Sequence, residues 1–239
     1  ALHHAEAIIS RDMTVAEVEI EEALLALDIP VIEIVAGGGG EAGLTQRLRR
    51  GLAERGWSKR NIQVRKLVRW GDRDEEREVA ALSHEIDHVK PFGPEGSIFA
   101  LELEWNNKDP FFDRDLESFK RLHAEGAVSV GGIITRGESL QSEMRGLLRR
   151  FADDHSIDDL EQLDAFGYSP TRRQRRIISE RAERSGDFRQ AWVDHFVSDK
   201  FGEATTHWRK LQDRVLRGVG NPCPLVLIGI PSNAVSFNY

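Results

Sequence analysis

The 239-residue chain has one cysteine, Cys223, and only two methionines and two tyrosines. A single thiol excludes an internal disulfide and any cysteine-rich zinc site. Cys223 stands between Pro222 and Pro224 with no activating partner nearby in sequence, so it reads as a small buried residue entering a strand, not a nucleophile. Long apolar runs are missing too. None approaches the ~20 residues that a membrane-spanning helix requires, and the start Ala1-Leu2-His3-His4 lacks the basic and apolar regions of a secretory signal. A cytoplasmic protein is expected. Nor is there an excess of positive charge: a net charge of −7 and a pI near 5.7 exclude coating of nucleic acid by bulk attraction and leave room for a local binding face.

What is present suffices for a sizeable core. At 40% hydrophobic content the chain fits one large domain, or one domain with an appended subdomain. Helical spacing is expected over residues 14–27, with Thr14 as N-cap and Val15, Val18, Ala23, Leu24 and Leu27 as its apolar residues, and again over 44–55. Residues 31–35 read as a short strand, 62–68 as a second, and 71–78 as a charged loop. Strand and helix signals then alternate: strands at 84–89, 97–105 and 128–135, with a helix at 114–124. Helices follow at 139–151, 172–184, 188–197 and 205–216, before closing strands at 225–230 and 235–237. The expected fold is α/β, with a mixed central sheet flanked by helices. Residues 1–141 and 220–239 form the core, and 142–219 a helical subdomain or elaboration.

Chemistry concentrates in Ala100-Leu101-Glu102-Leu103-Glu104-Trp105. In a strand Glu102 and Glu104 share one face while Leu101, Leu103 and Trp105 take the other. Two like charges on an apolar strand repel and resist leaving water. With Asp87 upstream they make a plausible cage for Mg²⁺ and for phosphodiester hydrolysis. The plain alternative is an amphipathic edge strand with solvated glutamates. Arginines gather at Arg47, Arg49 and Arg50, at Arg145, Arg149 and Arg150, and at Arg172, Arg173, Arg175 and Arg176. Each group is by default a solvated helix face and becomes a phosphate contact if the carboxylate site is real. Asp113, Asp115 and Glu117 are accounted for by the dipole at a helix start, and His88 by the opposite strand face from Asp87.

A rival chemistry lies in the loop 37–43, where Gly38, Gly40 and Gly43 match G-x-G-x-x-G between an expected strand and helix. This would make a dinucleotide-binding oxidoreductase. Against it stand the missing acidic residue after the next strand and the absence of further βαβ units, and Leu44 occupies the lysine position of a P-loop.

Several segments resemble the type II restriction endonucleases of the BglII/BstYI/BamHI group, within the PD-D/E-x-K nuclease fold. The resemblance runs through His4-Ala5-Glu6-Ala7-Ile8, Ile20-Glu21-Glu22-Ala23-Leu24-Leu25, Leu48, Leu52 and Gly56-Trp57. It continues in His84-Glu85-Ile86-Asp87, Leu101-Glu102-Leu103-Glu104-Trp105-Asn106-Asn107 and Val130-Gly131-Gly132-Ile133-Ile134-Thr135-Arg136-Gly137. It implies that Asp87 and Glu102 bind metal and that Glu104 fills a third, variable position, either as a ligand or as the group that orients or deprotonates the attacking water. Asn107, Lys108, Arg136, Glu138, Ser139 and Gln141 resemble positions from which such enzymes reach base edges, Asn and Gln suiting adenine and Arg or Lys guanine. A homodimer on palindromic double-stranded DNA is implied, with 5′-phosphate and 3′-hydroxyl products and a cognate DNA methyltransferase in the cell. A repair nuclease, or a DNA binder without turnover, is the alternative on the same fold.

Overall fold

The computed structural model describes residues 1–36, 41–69, 71 and 76–238. Helices α1 (Ala5–Asp12) and α2 (Ala16–Leu25), strand β1 (Ile29–Pro30) and helices α3 (Val31–Ala36) and α4 (Gly43–Glu54) open the chain. Strands β2 (Ser58–Arg69), β3 (Glu76–Phe92) and β4 (Ser97–Glu104) follow, then α5 (Phe111–Ala124), β5 (Val130–Arg136) and α6 (Glu138–Asp154). The last part holds α7 (Leu160–Asp164), α8 (Arg172–Ser185), α9 (Phe188–Lys200), α10 (Trp208–Leu216), β6 (Leu225–Ile230) and β7 (Val235–Ser236).

Five strands form one mixed sheet in the order β2-β3-β4-β5-β6, antiparallel as far as β4 and parallel from β4 to β6. β1 pairs separately with β7. Each sheet face has its own apolar cluster. Phe99, Leu101, Leu103, Val130 and Ile134 pack with residues of α1 to α4, α6, α8 and α9. Ala100 and Ile133 pack against Phe112, Leu116, Phe119 and Leu122 of α5 and Leu211 of α10. The mixed sheet between helices is therefore the expected one. Cys223 is buried just before β6, and burial pushes its thiol up to about 12.

α5 reaches the sheet because β5 has glycine where the helix arrives. A Cβ on Gly131 would stand 2.7 Å from the Phe119 ring, closer than van der Waals contact allows. The helix can thus lie directly on the backbone of β5 and bring its first turns against β4.

Local expectations fail where burial selects a different period. Residues 31–35 form the helix α3, not a strand, with Val31, Ile34 and Val35 buried at helical spacing. A helix therefore precedes the glycine loop, so the strand–loop–helix context of a dinucleotide site is lost; residues 37–40 themselves lie outside the described residues. α2 begins after Thr14 and buries Ala16, Ile20 and Ala23, whereas Val15 and Val18 are about half exposed. Of the expected loop at 71–78, residues 76–78 belong to β3, which is much longer than the 84–89 expected, and 72–75 are not described. Among the described residues no helix is long and apolar enough to cross a membrane.

Candidate active site

The alternation of β4 places Glu102 and Glu104 on the α5 side of the sheet, opposite Leu101 and Leu103. Both carboxylates are buried, at 4% and 3% exposure. A short link from β4 to α5 brings Arg114 and Asp115 against them. Arg114 donates to Asp115 Oδ1 at 2.7 Å and to Glu104 Oε1 at 3.3 Å. Asp115 is wholly buried, and its Oδ2 has no hydrogen-bond partner.

From β3, His84 Nε2 lies 3.9 Å from Glu102 Oε1, while Nδ1 meets Ser118 Oγ at 3.3 Å. One ligand atom each from His84, Glu102 and Asp115 falls within 4.8 Å of the others, the scale of one divalent ion's coordination shell. Burial, then Asp115, then Asp87 push Glu102 up to about 9. Burial and Asp115 push Glu104 up to about 8. His84 is held below its usual value, chiefly by burial, and so keeps a nitrogen lone pair available near neutrality. Three carboxylates thus crowd around one guanidinium, an arrangement that a cation relieves and that protons relieve in its absence.

Asp87 stands at the outer side of this cluster. Its backbone N–H donates to Glu102 Oε2 at 3.3 Å, and its half-exposed carboxylate faces Lys59 Nζ at 4.0 Å. The β2–β3 register shifts opposite this point, between Ser58 and Arg60, and β3 pairs with β4 only from His88 onward. Asp87 is therefore released from the ladder where the two strands part. With Trp105, Asn107, Glu33, Glu41 and Lys200 it lines a cleft of about 650 Å³. His88 lies opposite Leu101 and is buried, with its pKa lowered by that burial.

The expected DNA-facing residues separate into three environments near the C-terminal ends of β4 and β5. Lys108, Asn107 and Glu138 are exposed, but the Asn107 side chain donates to Glu104 Oε2 at 2.6 Å. Ser139 and Gln141 are half-buried; Ser139 Oγ accepts from the Ser232 N–H and Gln141 donates to the Phe201 carbonyl. Arg136 is fully buried, so no base edge is within its reach in this conformation. Most of the flagged arginines are paired with acids: Arg47 with Glu33, Arg49 with Glu41, Arg145 with Asp194, Arg149 with Asp153 and Asp187, Arg150 with Asp154, Arg175 with Glu161 and Asp164, and Arg176 with Glu180.

The sequence accounts for Asp115 by the helix dipole and gives His84 no role, whereas the structure buries Asp115 beside Glu102 and His84. The missed signal was helical period: Asp115 falls with Phe112, Leu116, Phe119 and Leu122 on the buried face of α5. His84 carried no such mark, since its neighbour Glu102 comes from another strand.

No curated protein matches the chain. The family model described as restriction endonuclease BglII/BglIII matches residues 1–230. With nearly the whole chain under that match and a mixed sheet bearing buried acids at its centre, the protein belongs to the BglII/BglIII restriction endonuclease family and is a site-specific deoxyribonuclease.

Proposed function

We propose that this endonuclease hydrolyses palindromic double-stranded DNA with the help of a divalent cation, Mg²⁺, leaving 5′-phosphate and 3′-hydroxyl ends. One observation carries the metal dependence. Glu102, Glu104 and Asp115 are buried around a single guanidinium, and Asp115 Oδ2 is left without a partner. Uncompensated buried charge costs several kcal/mol per ion, which a cation at this place offsets. The oxygen-rich donor set fits Mg²⁺.

Glu102 would hold the ion, with Asp115 and His84 on its inner side and Asp87 on its outer side. Such an ion, when bound, supplies positive charge toward the scissile phosphate and acidifies the attacking water. Glu104 has both oxygens engaged, one by Asn107 and one by Arg114. It is thereby kept from swinging freely, and we assign it to orienting the water and accepting its proton. Lys108 and Glu138, exposed at the strand ends, would meet DNA, with Ser139 and Gln141 behind them.

One such site cuts one strand, so a palindrome calls for a twofold homodimer. The enzyme would act in the cytoplasm beside a methyltransferase protecting the same sequence. Residues 142–219 are read as this chain's helical elaboration of the core.

A plasmid of known sequence tests the reading. Discrete, ligatable fragments are expected with Mg²⁺ and none with chelator. Glu102→Gln should abolish cleavage and leave DNA binding largely intact. A fully active Glu102→Gln enzyme removes that residue from the site; structure-dependent nicking, or a gel shift with intact DNA, replaces restriction by repair or by simple binding.

A further inference from the structure

Arg136 closes β5 and is wholly buried, and among the described residues it has no ion pair. Nη1 is buried without a hydrogen-bond partner, and the other donors go elsewhere. Nη2 bonds the Thr206 carbonyl at 2.6 Å and Thr205 Oγ1 at 2.7 Å, Nε bonds the same Thr206 carbonyl at 3.2 Å, and the guanidinium lies 4.9 Å from the Phe201 ring centre. Burying a guanidinium without a counter-charge costs several kcal/mol, which its hydrogen bonds to Thr205 and Thr206 offset in part.

What they hold is the segment that grips Asn107. Thr206, itself fully buried, accepts the Asn107 backbone N–H on Oγ1 at 3.1 Å and donates its own N–H to the Asn107 carbonyl at 2.9 Å. Lys108 bridges Thr205 in the same short ladder, and the Asp109 N–H bonds the Ala204 carbonyl at 3.1 Å. Pinned on both sides, Asn107 directs its side-chain amide onto Glu104 Oε2 at 2.6 Å.

We propose that Arg136 is a positioning residue for DNA cleavage: it clamps Thr206, Thr206 fixes Asn107, and Asn107 sets the orientation of Glu104. The inference rests on the nuclease reading in which Glu104 serves the reaction. Charged, forked and rigid, a guanidinium can hold one carbonyl with two donors and a hydroxyl with a third contact, which an ammonium cannot do. Arg136 then acts on the reaction without touching DNA, in contrast to the guanine-reading role that its place at the end of β5 suggests.

The test uses the full chain and a DNA fragment carrying the sequence that the wild-type enzyme cuts. Single-turnover cleavage and DNA affinity are measured for Thr206→Val, Asn107→Ala, their double variant, Arg136→Met and Arg136→Lys. Thr206→Val, Asn107→Ala and Arg136→Met should each slow cleavage roughly 10- to 100-fold, the scale expected when a reacting group is misplaced, with DNA affinity within about threefold of wild type. The double variant should be no slower than Asn107→Ala alone, because the two changes break one chain of contacts. Arg136→Lys should recover part of the rate lost in Arg136→Met.

Thr206→Val keeps its shape and tests the link from Thr206 to Asn107. Arg136→Lys, which keeps the charge and loses the fork, carries the test of Arg136 if Arg136→Met fails to fold, and wild-type cleavage by it would remove Arg136 from the relay. Wild-type cleavage by Thr206→Val, multiplying losses in the double variant, or a loss confined to DNA affinity would each overturn the relay. A wild-type protein that cuts no DNA at all sinks the nuclease reading, and this role with it.

Discussion

Asp115 shows how position along a helix decides what an acid does. α5 begins at Phe111, so Asp115 is its fifth residue, past the first turn in which negative charge gains from the helix dipole. Asp113, nearer the start, instead pairs with Arg214 at 2.8 Å. Asp115→Asn keeps the shape and removes the charge, and cleavage together with calorimetric Mn²⁺ affinity should fall roughly 10- to 100-fold. An acid serving only the helix would leave both readouts unchanged, and that result removes Asp115 from the metal site. Arg136 was illegible for a different reason: the residues that bury it, Phe201, Thr205 and Thr206, are more than sixty positions away.

Among the elements, β4 was the most legible, since the Leu101-Glu102-Leu103-Glu104 alternation puts both glutamates on one strand face, although alternation alone fits a half-solvated strand and both faces here are buried. α3 was the least. Its Val-Ile-Glu-Ile-Val run favours a strand by residue type, yet it folds as a helix because Val31, Ile34 and Val35 meet the core at helical spacing. The contact between α5 and β5 depends on the missing side chain of Gly131. Gly131→Ala should force Phe119 aside and destabilise the protein by about 1–3 kcal/mol in urea unfolding, as overpacking does. Because α5 carries Arg114 and Asp115, the same change should also slow cleavage. An unaltered unfolding midpoint would show that the helix can move away without cost.

Across the whole molecule the acidic cluster sets how stability follows pH. In the metal-free protein Glu102 and Glu104 hold their protons up to about 9 and about 8, while unfolded glutamates lose theirs near the ordinary value of about 4.3. The folded state therefore binds more protons than the unfolded one in that interval, and stability falls as pH rises. His84, His88, His195 and His207 are lowered by burial and act oppositely, their contribution being lost as pH drops below about 6.5. Between roughly pH 6.5 and 9 the carboxylates dominate. The metal-free Tm should decline across that window, Mg²⁺ should raise it more at pH 9 than at pH 6.5, and Glu102→Gln should flatten the slope. A Tm that climbs with pH, or responds equally to Mg²⁺ at both ends, contradicts a proton-filled metal site.

The strand pattern, the helix periods and the pair of glutamates beside an upstream aspartate were written in local order, because alternation and 3.6-residue spacing are properties of neighbours in the chain. That much sufficed for a mixed α/β sheet and for Glu102 and Glu104 on one face. Which groups meet those glutamates was settled by the pairing of β3 with β4 and the laying of α5 on the sheet, which bring His84 and Asp115 in and leave Asp87 at the edge. Burial did the rest, since it is a collective outcome of packing. It places Arg136 inside instead of at a DNA surface, and it makes the charged forms of Glu102 and Glu104 costly, so that each holds a proton well above the ordinary carboxylate range.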